Sequence, residues 1–275
     1  MNCRAVIVDL DGTVLPRGGS ISENVYRTFR LLGERKVLRI VATGRNLFSA
    51  LKVLGSDFPI DYLVFSSGAG VMRWNDRKML AVHHLKESET RKIASYLWDC
   101  NVNFTIQQAI PDNHHFYYTS LYPQHADFLK RVEIYQEYGE MIHSVEDIHG
   151  EATQFVVIVD GGKLRLLEEM RARLKDYSVV RSTSPLDNQA LWLEIFAAGI
   201  NKGTVCSRLL QGLDIDCQDC AGLGNDYNDV DFLDICGQGF LVQNAPYRLK
   251  PYYKSVASDR NDGFVEFIKC LIPDL

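Results

Sequence analysis

The feature that most restricts this chain is a rhythm. Ala5–Val8, Val37–Ala42 and Tyr62–Phe65 are short apolar runs of strand length, separated by helical patterns. The first helix opens at Ser22, a hydroxyl suited to capping, with Glu23 in its first turn and Val25, Phe29, Leu31 and Leu32 on its apolar stripe. The second runs through Leu47, Leu51 and Leu54. The order β-α-β-α-β predicts a parallel sheet with helices packed against it. The rhythm returns late in the chain. A strand at Leu191–Phe196, a helix at Asn201–Leu213, a strand at Cys220–Leu223, a helix reaching Leu233 and Cys236, short strands at Gly239–Val242 and Ser255–Ala257, and a closing helix at Gly263–Leu271 follow in order.

Between these halves the alternation breaks. Glu87–Cys100 reads as a helix, Asn103–Gln107 as an edge strand, Pro123–Tyr138 as a helix, Ala152–Val159 as a strand, Gly162–Lys175 as a helix and Tyr177–Arg181 as a strand. The expected fold class is therefore α/β, a Rossmann-like parallel sheet core with an inserted α+β domain. The expected boundaries are residues 1–82 and 189–275 for the core and 83–188 for the insertion. Both sizes are ordinary for domains.

Composition narrows the function classes. A hydrophobic fraction of 46% over 275 residues supports a sizeable core. The net charge of −5 argues against nucleic acid or an anionic membrane as partner. No run reaches the roughly 20 apolar residues that a spanning helix needs. The first strand begins so early that no signal peptide is expected. Seven cysteines form no even framework, which suits a reduced cytoplasmic protein. A monomer or weak homo-oligomer is expected. Cys217 and Cys220 match a CxxC spacing, but no second pair accompanies them, so buried structural cysteine is the better reading.

Four polar loci fall at strand ends or helix starts. Asp9 and Asp11 leave the first strand two residues apart, on one side of an extended segment, and Gly12 permits a sharp turn beyond them. Such close carboxylates repel unless a cation or shared proton intervenes. Thr43 and Gly44 end the second strand. Lys202 begins a helix, where its charge opposes the helix dipole, so a functional reason is favoured over a merely solvated lysine. Asn225, Asp226 and Asp229 follow the strand at Cys220. Parallel strands gather such groups at the carboxyl edge of the sheet. Carboxylates, a hydroxyl and an ammonium together suit phosphoryl transfer.

The motifs Asp9-Leu10-Asp11-Gly12-Thr13, Thr43-Gly44-Arg45, Asn201-Lys202-Gly203 and Gly224-Asn225-Asp226-Tyr227-Asn228-Asp229 resemble those of the haloacid dehalogenase-like (HAD) superfamily, and within it the Cof-type sugar-phosphate phosphatases. Ser67-Gly68-Ala69, Leu193-Glu194-Ile195, Asn244-Ala245 and Asn261-Asp262-Gly263 add weaker echoes, in order over nearly the whole chain. The resemblance implies that Asp9 attacks phosphorus to form an aspartyl-phosphate and that Asp11 acts as general acid and then base. It implies that Thr43, Gly44 and Lys202 bind the phosphoryl group. It further implies Mg2+ held among Asp9, Asp11, Asn225, Asp226 and Asp229, and a cap formed by the insertion. Arg45 reads as a mainly structural anchor and Tyr227 as packing.

The family usually has Gly-Asp where this chain has Gly224-Asn225, which removes one negative charge from the metal's surroundings. Cap contacts to a small phosphorylated metabolite are expected within Gln107–Tyr118, including His114 and His115, and around Ser184–Asn188. A phosphomutase using the same aspartyl-phosphate, or a non-catalytic phosphate-binding module, are the alternatives.

Overall fold

The computed structural model describes residues 3–121, 125–159, 162, 164–183 and 190–274. In chain order the elements are β1 (Ala5–Val8), α1 (Glu23–Glu34), β2 (Leu38–Ala42), α2 (Leu47–Val53), β3 (Tyr62–Phe65), β4 (Gly70–Arg73), β5 (Lys78–Val82), α3 (Glu87–Asp99), β6 (Phe104–Gln108), β7 (Phe116–Tyr118) and α4 (Ala126–Ile134). They continue with β8 (Gly139–Met141), β9 (Ala152–Val159), α5 (Leu164–Arg173), β10 (Ser178–Thr183), β11 (Leu191–Phe196), α6 (Lys202–Gln211), β12 (Cys220–Gly224), α7 (Val230–Ile235), β13 (Gln238–Val242), β14 (Lys254–Val256) and α8 (Gly263–Leu271). Among the described residues no helix is long and apolar enough to cross a membrane.

The chain divides into two compact units. The first comprises residues 1–45, 49–81 and 201–275, and the second residues 46–48 and 82–200.

The first unit is built on an eight-stranded sheet of order β14-β13-β12-β1-β2-β3-β4-β5. Pairings from β14 through to β3 are all parallel, and β4 turns back antiparallel on β3. Strand β1 lies inside the sheet and is buried throughout, which explains why it is apolar at every position rather than alternating. Helix α1 starts where Ser22 accepts a hydrogen bond from the Val25 amide, and it buries Val25, Phe29 and Leu32 as its spacing predicts. Phe29 stacks on Phe264 of α8 with centroids 4.4 Å apart. Arg39 on β2 grips Asp61 just before β3, with Nε at 2.9 Å and Nη2 at 2.7 Å from its oxygens. Of the stripe expected along the second helix, Leu47 of α2 and Leu54 just past its end are buried, but Leu51 is 43% exposed and does not belong to the core stripe.

The second unit carries a six-stranded sheet of order β10-β11-β9-β6-β7-β8. One face, with Phe104, Ile106, Phe155, Val157, Leu193 and Ile195, packs with Ile93 and Leu97 of α3 and Leu167 and Met170 of α5. On the other face Val156, Ile158 and Trp192 meet Phe128 of α4.

Three expectations are corrected here. Strand Leu191–Phe196 pairs antiparallel with β9 and β10, so it belongs to the second unit, whose limit lies at residue 200 rather than 188. An apolar run of that length reads as a buried strand in either sheet, and periodicity does not say which. Strand β6 is no edge, since it lies between β9 and β7. Strands β4 and β5 extend the first sheet beyond the expected βα rhythm.

Candidate active site

In the first unit the loci sit where β1, β2 and β12 end and where α6 begins. Asp9 follows β1 directly and is 5% exposed. The chain then turns through Gly12, whose φ of 75° is a left-handed conformation that suits glycine. A Cβ there would also collide with the Asn225 carboxamide. The turn returns Thr13 to Asp9, and its Oγ1 donates to Asp9 Oδ2 at 3.1 Å.

Asn201 caps α6 by accepting a hydrogen bond from the Thr204 amide, which fixes Lys202 as the first helical residue. Lys202 is 1% exposed, so it is not a solvated first-turn lysine. Its Nζ donates to Asp9 Oδ1 at 2.7 Å and to Asp229 Oδ1 at 2.8 Å. The other Asp229 oxygen accepts the backbone amides of Asn225 at 2.7 Å and Asp226 at 3.0 Å. Asp229, wholly buried, thus fastens the turn after β12 to the lysine.

Two buried carboxylates share one ammonium. Burial first, and then the charge of Asp229, push the Asp9 carboxyl up to about 7 against the pull of Lys202. Burial opposes the Lys202 charge, but Asp229 and Asp9 outweigh it and hold the ammonium above its ordinary value. The surplus negative charge is what a cation would relieve.

The donors around Asp9 are hard oxygens, the kind Mg2+ takes. Among the described residues no group of three His, Cys, Asp or Glu side chains is arranged to hold a metal. The set here is mixed instead, because main-chain and carboxamide oxygens join the acids. Asn225 turns its Nδ2 to the Asp11 carbonyl at 2.9 Å, which places its carboxamide against that oxygen. Asp226 is half-buried at the start of the turn. Asp229, wholly buried and accepting from three donors, the Lys202 ammonium and two backbone amides, is the member of the expected metal set that fits least well as a ligand. Mg2+ fits the remaining donors.

The Asp11 side chain is 40% exposed and paired with Arg45, whose Nε and Nη2 each lie 2.7 Å from a carboxylate oxygen. Arg45, expected to be a mainly structural anchor, is tied to Asp11, a partner that sequence reasoning did not name. Its place two residues after Thr43 was the available signal. The buried Thr43 hydroxyl accepts the Arg45 amide at 3.1 Å. Gly44 lies beside Ser67 and Asn228, whose polar atoms an added Cβ would meet at 3.6 and 3.8 Å. Asn244 donates to the Gly12 carbonyl at 2.8 Å.

His114 and His115 lie in the second unit, both half-buried. The His114 ring stacks on Phe48 at 4.4 Å and lies 5.1 Å from Tyr138. The Ser184–Asn188 segment lies outside the described residues.

A largely parallel sheet with buried acids and a lysine at its carboxyl edge, in a chain that also forms a separate α+β unit, suits chemistry on phosphate esters. Comparison with known proteins agrees. The family model described as haloacid dehalogenase-like hydrolase matches residues 6–268, and the chain belongs to that family. It is 24% identical to the HMP-PP phosphatase of Shigella flexneri over 270 residues, which cover 96% of this chain and 94% of that protein. A phosphatase of the haloalkanoate (HAD) superfamily from Bacteroides thetaiotaomicron shares the fold with a TM-score of 0.80 at 17% identity, covering 97% of this chain and 94% of that one. A HAD subclass IIB sugar phosphatase does so with a TM-score of 0.75 at 16% identity, covering 98% of each chain.

Proposed function

We propose that this protein hydrolyses small phosphorylated metabolites, with sugar phosphates foremost, and that Asp9 is the nucleophile. The observation that carries the reading is the buried bridge from Lys202 to Asp9 and Asp229. A carboxylate held rigidly at a strand end, with one oxygen on Lys202 and the other near Thr13, is oriented for in-line attack on phosphorus. The P–O bond to the alcohol breaks as the bond to Asp9 forms, and water then hydrolyses the aspartyl-phosphate.

Asp11 gives a proton to the leaving alkoxide and removes one from the attacking water. Lys202 offsets charge on the nucleophile and phosphoryl group, and Thr43 with the Gly44 backbone receives phosphoryl oxygens. Asp9, the Asp11 carbonyl, Asn225 and Asp226 would hold Mg2+, while Asp229 positions Lys202 and the turn. When bound, Mg2+ supplies charge neutralisation to the phosphoryl oxygens.

Selectivity is assigned to the second unit, with His114 and His115 among its substrate contacts. The names of the relatives, an HMP-PP phosphatase and a sugar phosphatase, support the substrate class. Seven free thiols suit a cytoplasmic location.

The deciding experiment is hydrolysis of p-nitrophenyl phosphate with Mg2+ by the parent and by Asp9→Asn. The variant is expected to fold normally and lose turnover. Activity within tenfold of the parent overturns the assignment of Asp9.

A further inference from the structure

Three neighbouring parallel strands of the first unit, β1, β12 and β13, end side by side at the carboxyl edge of their sheet. The ends of β1 and β12 carry the acids and the asparagine described above. The end of β13 carries Asn244, in a turn that the Ala245 amide closes on the Val242 carbonyl at 3.0 Å. The chemistry assigned so far makes no use of Asn244.

The turn after β1 is bonded to itself through its amides. Those of Thr13, Val14 and Leu15 all donate to the Leu10 carbonyl, at 3.3, 3.1 and 2.8 Å, and that of Gly12 donates to the Leu15 carbonyl at 2.8 Å. The next two carbonyls are held from outside, each by a carboxamide. Asn225 Nδ2 donates to the Asp11 carbonyl at 2.9 Å, and Asn244 Nδ2 to the Gly12 carbonyl at 2.8 Å. The other end of Asn244 is tied as well. Its Oδ1 accepts the Asp259 amide at 3.1 Å, in the segment between β14 and α8. The same segment grips the chain beyond the turn, where Arg260 Nη2 donates to the Arg17 carbonyl at 2.7 Å. A carboxamide with donor and acceptor both engaged is fixed in orientation.

We propose that Asn244 is a positioning residue that fixes the peptide unit joining Gly12 and Thr13 and, through it, holds the Thr13 hydroxyl on the nucleophile. The proposal rests on the reading of Asp9 as nucleophile. A peptide unit is planar, so the Gly12 carbonyl and the Thr13 amide move together. Asn244 holds the carbonyl and Leu10 the amide. Rotation of that plane would carry Thr13 Oγ1 away from Asp9 Oδ2, which it meets at 3.1 Å. Gly12 has no side chain to resist the rotation, so the restraint has to come from a neighbour. Asn244 is itself exposed, so replacing it opens no cavity and should change stability little.

The test compares Asn244→Ala, which loses both bonds, with Asn244→Asp, which keeps the acceptor for Asp259 and loses the donor to Gly12. On p-nitrophenyl phosphate at saturating Mg2+ each is expected to lower kcat roughly 3–10-fold and leave KM within about twofold, as befits one neutral hydrogen bond. Thr13→Val supplies a second readout. Because Asn244 acts through Thr13, Asn244→Ala should cost less than about twofold in the Thr13→Val background. Full additivity, a loss confined to KM, or an Asn244→Asp variant as fast as the parent overturns the proposal. Hydrogen–deuterium exchange reads the turn without turnover. Peptides covering residues 10–15 should exchange about threefold faster or more in Asn244→Ala, while β12 keeps the parent's rate. Unchanged exchange in the turn overturns the proposal, whereas a parent that hydrolyses no phosphate ester overturns only the phosphatase reading. An Asn244 variant that fails to fold is replaced by Asn244→Ser under the same criteria, and if Thr13→Val fails to fold the exchange measurement decides.

Discussion

Arg45 holds Asp11 with both prongs of its guanidinium, Nε lying 2.7 Å from Oδ2 and Nη2 2.7 Å from Oδ1. A fork of this kind fixes direction as well as charge, and lysine cannot reproduce it. If Asp11 handles the leaving-group proton, Arg45 is a positioning residue for it. Arg45→Ala is expected to lower kcat about tenfold or more on an alkyl phosphate, whose poor leaving group needs the proton. It should have much less effect on p-nitrophenyl phosphate, and Arg45→Lys should restore little. Equal losses on both substrates would remove Asp11 positioning from the role of Arg45.

Lys202 couples chemistry to stability. Its removal leaves Asp9 and Asp229 buried without their shared cation. Breaking a buried pair in this way costs about 3–5 kcal/mol. Lys202→Met is therefore expected to lose activity and to unfold at clearly lower urea than the parent. Combining it with Asp229→Asn should recover part of the stability and none of the activity. A single variant that unfolds with the parent's midpoint would show that the bridge contributes nothing to folding.

Local pattern carried the architecture far. The bounds of β1, β3, β11 and α8 match the apolar runs, because a buried strand or an amphipathic helix declares itself within a few residues. The carboxyl-edge loci were legible for the same reason, since parallel strands point one way. Pairing was not legible. Nothing near Leu191 says that it joins β9 rather than the parallel sheet, and nothing near Gln107 names Gln154, 47 residues away, as its neighbour. Lys202 could be suspected from its unfavourable place at a helix start, but its bond to Asp229 depends on the fold. The partners of Arg45 and Thr13 were not legible, because a turn residue's partner is set by three-dimensional closure rather than by spacing.

The thiols give a pH-dependent check. Burial pushes Cys206 and Cys220 up to about 12, and raises Cys236 well above its ordinary value. The unfolded chain loses these protons near pH 9, while the folded chain keeps them. The contribution to stability is therefore complete below about pH 8 and falls as pH rises from 9 towards 12. Urea midpoints should drop between pH 8 and pH 10. With Ellman's reagent at pH 8 the exposed Cys270 should react at once, and Cys206, Cys220 and Cys236 only after denaturation. Rapid modification of all three in the native protein would contradict the packing around them.

The last expectation concerns Asn225, where the motif resemblance implies an acid. Its Nδ2 donates to the Asp11 carbonyl, so the carboxamide closes the turn against Gly12. An aspartate there would set a carboxylate against a carbonyl oxygen. That contact is repulsive until a cation lies between them. Asn225→Asp is therefore expected to melt at lower temperature than the parent in chelator, and to gain more from added Mg2+. It should also need less Mg2+ for half-maximal rate. Asn225→Ala loses both the hydrogen bond and the oxygen, and should need more. Asp226→Ala is the control for the neighbouring acid. Melting curves and rates across a Mg2+ titration decide between them. A large shift in Asp226→Ala alone would assign the metal to Asp226 and leave Asn225 as turn structure.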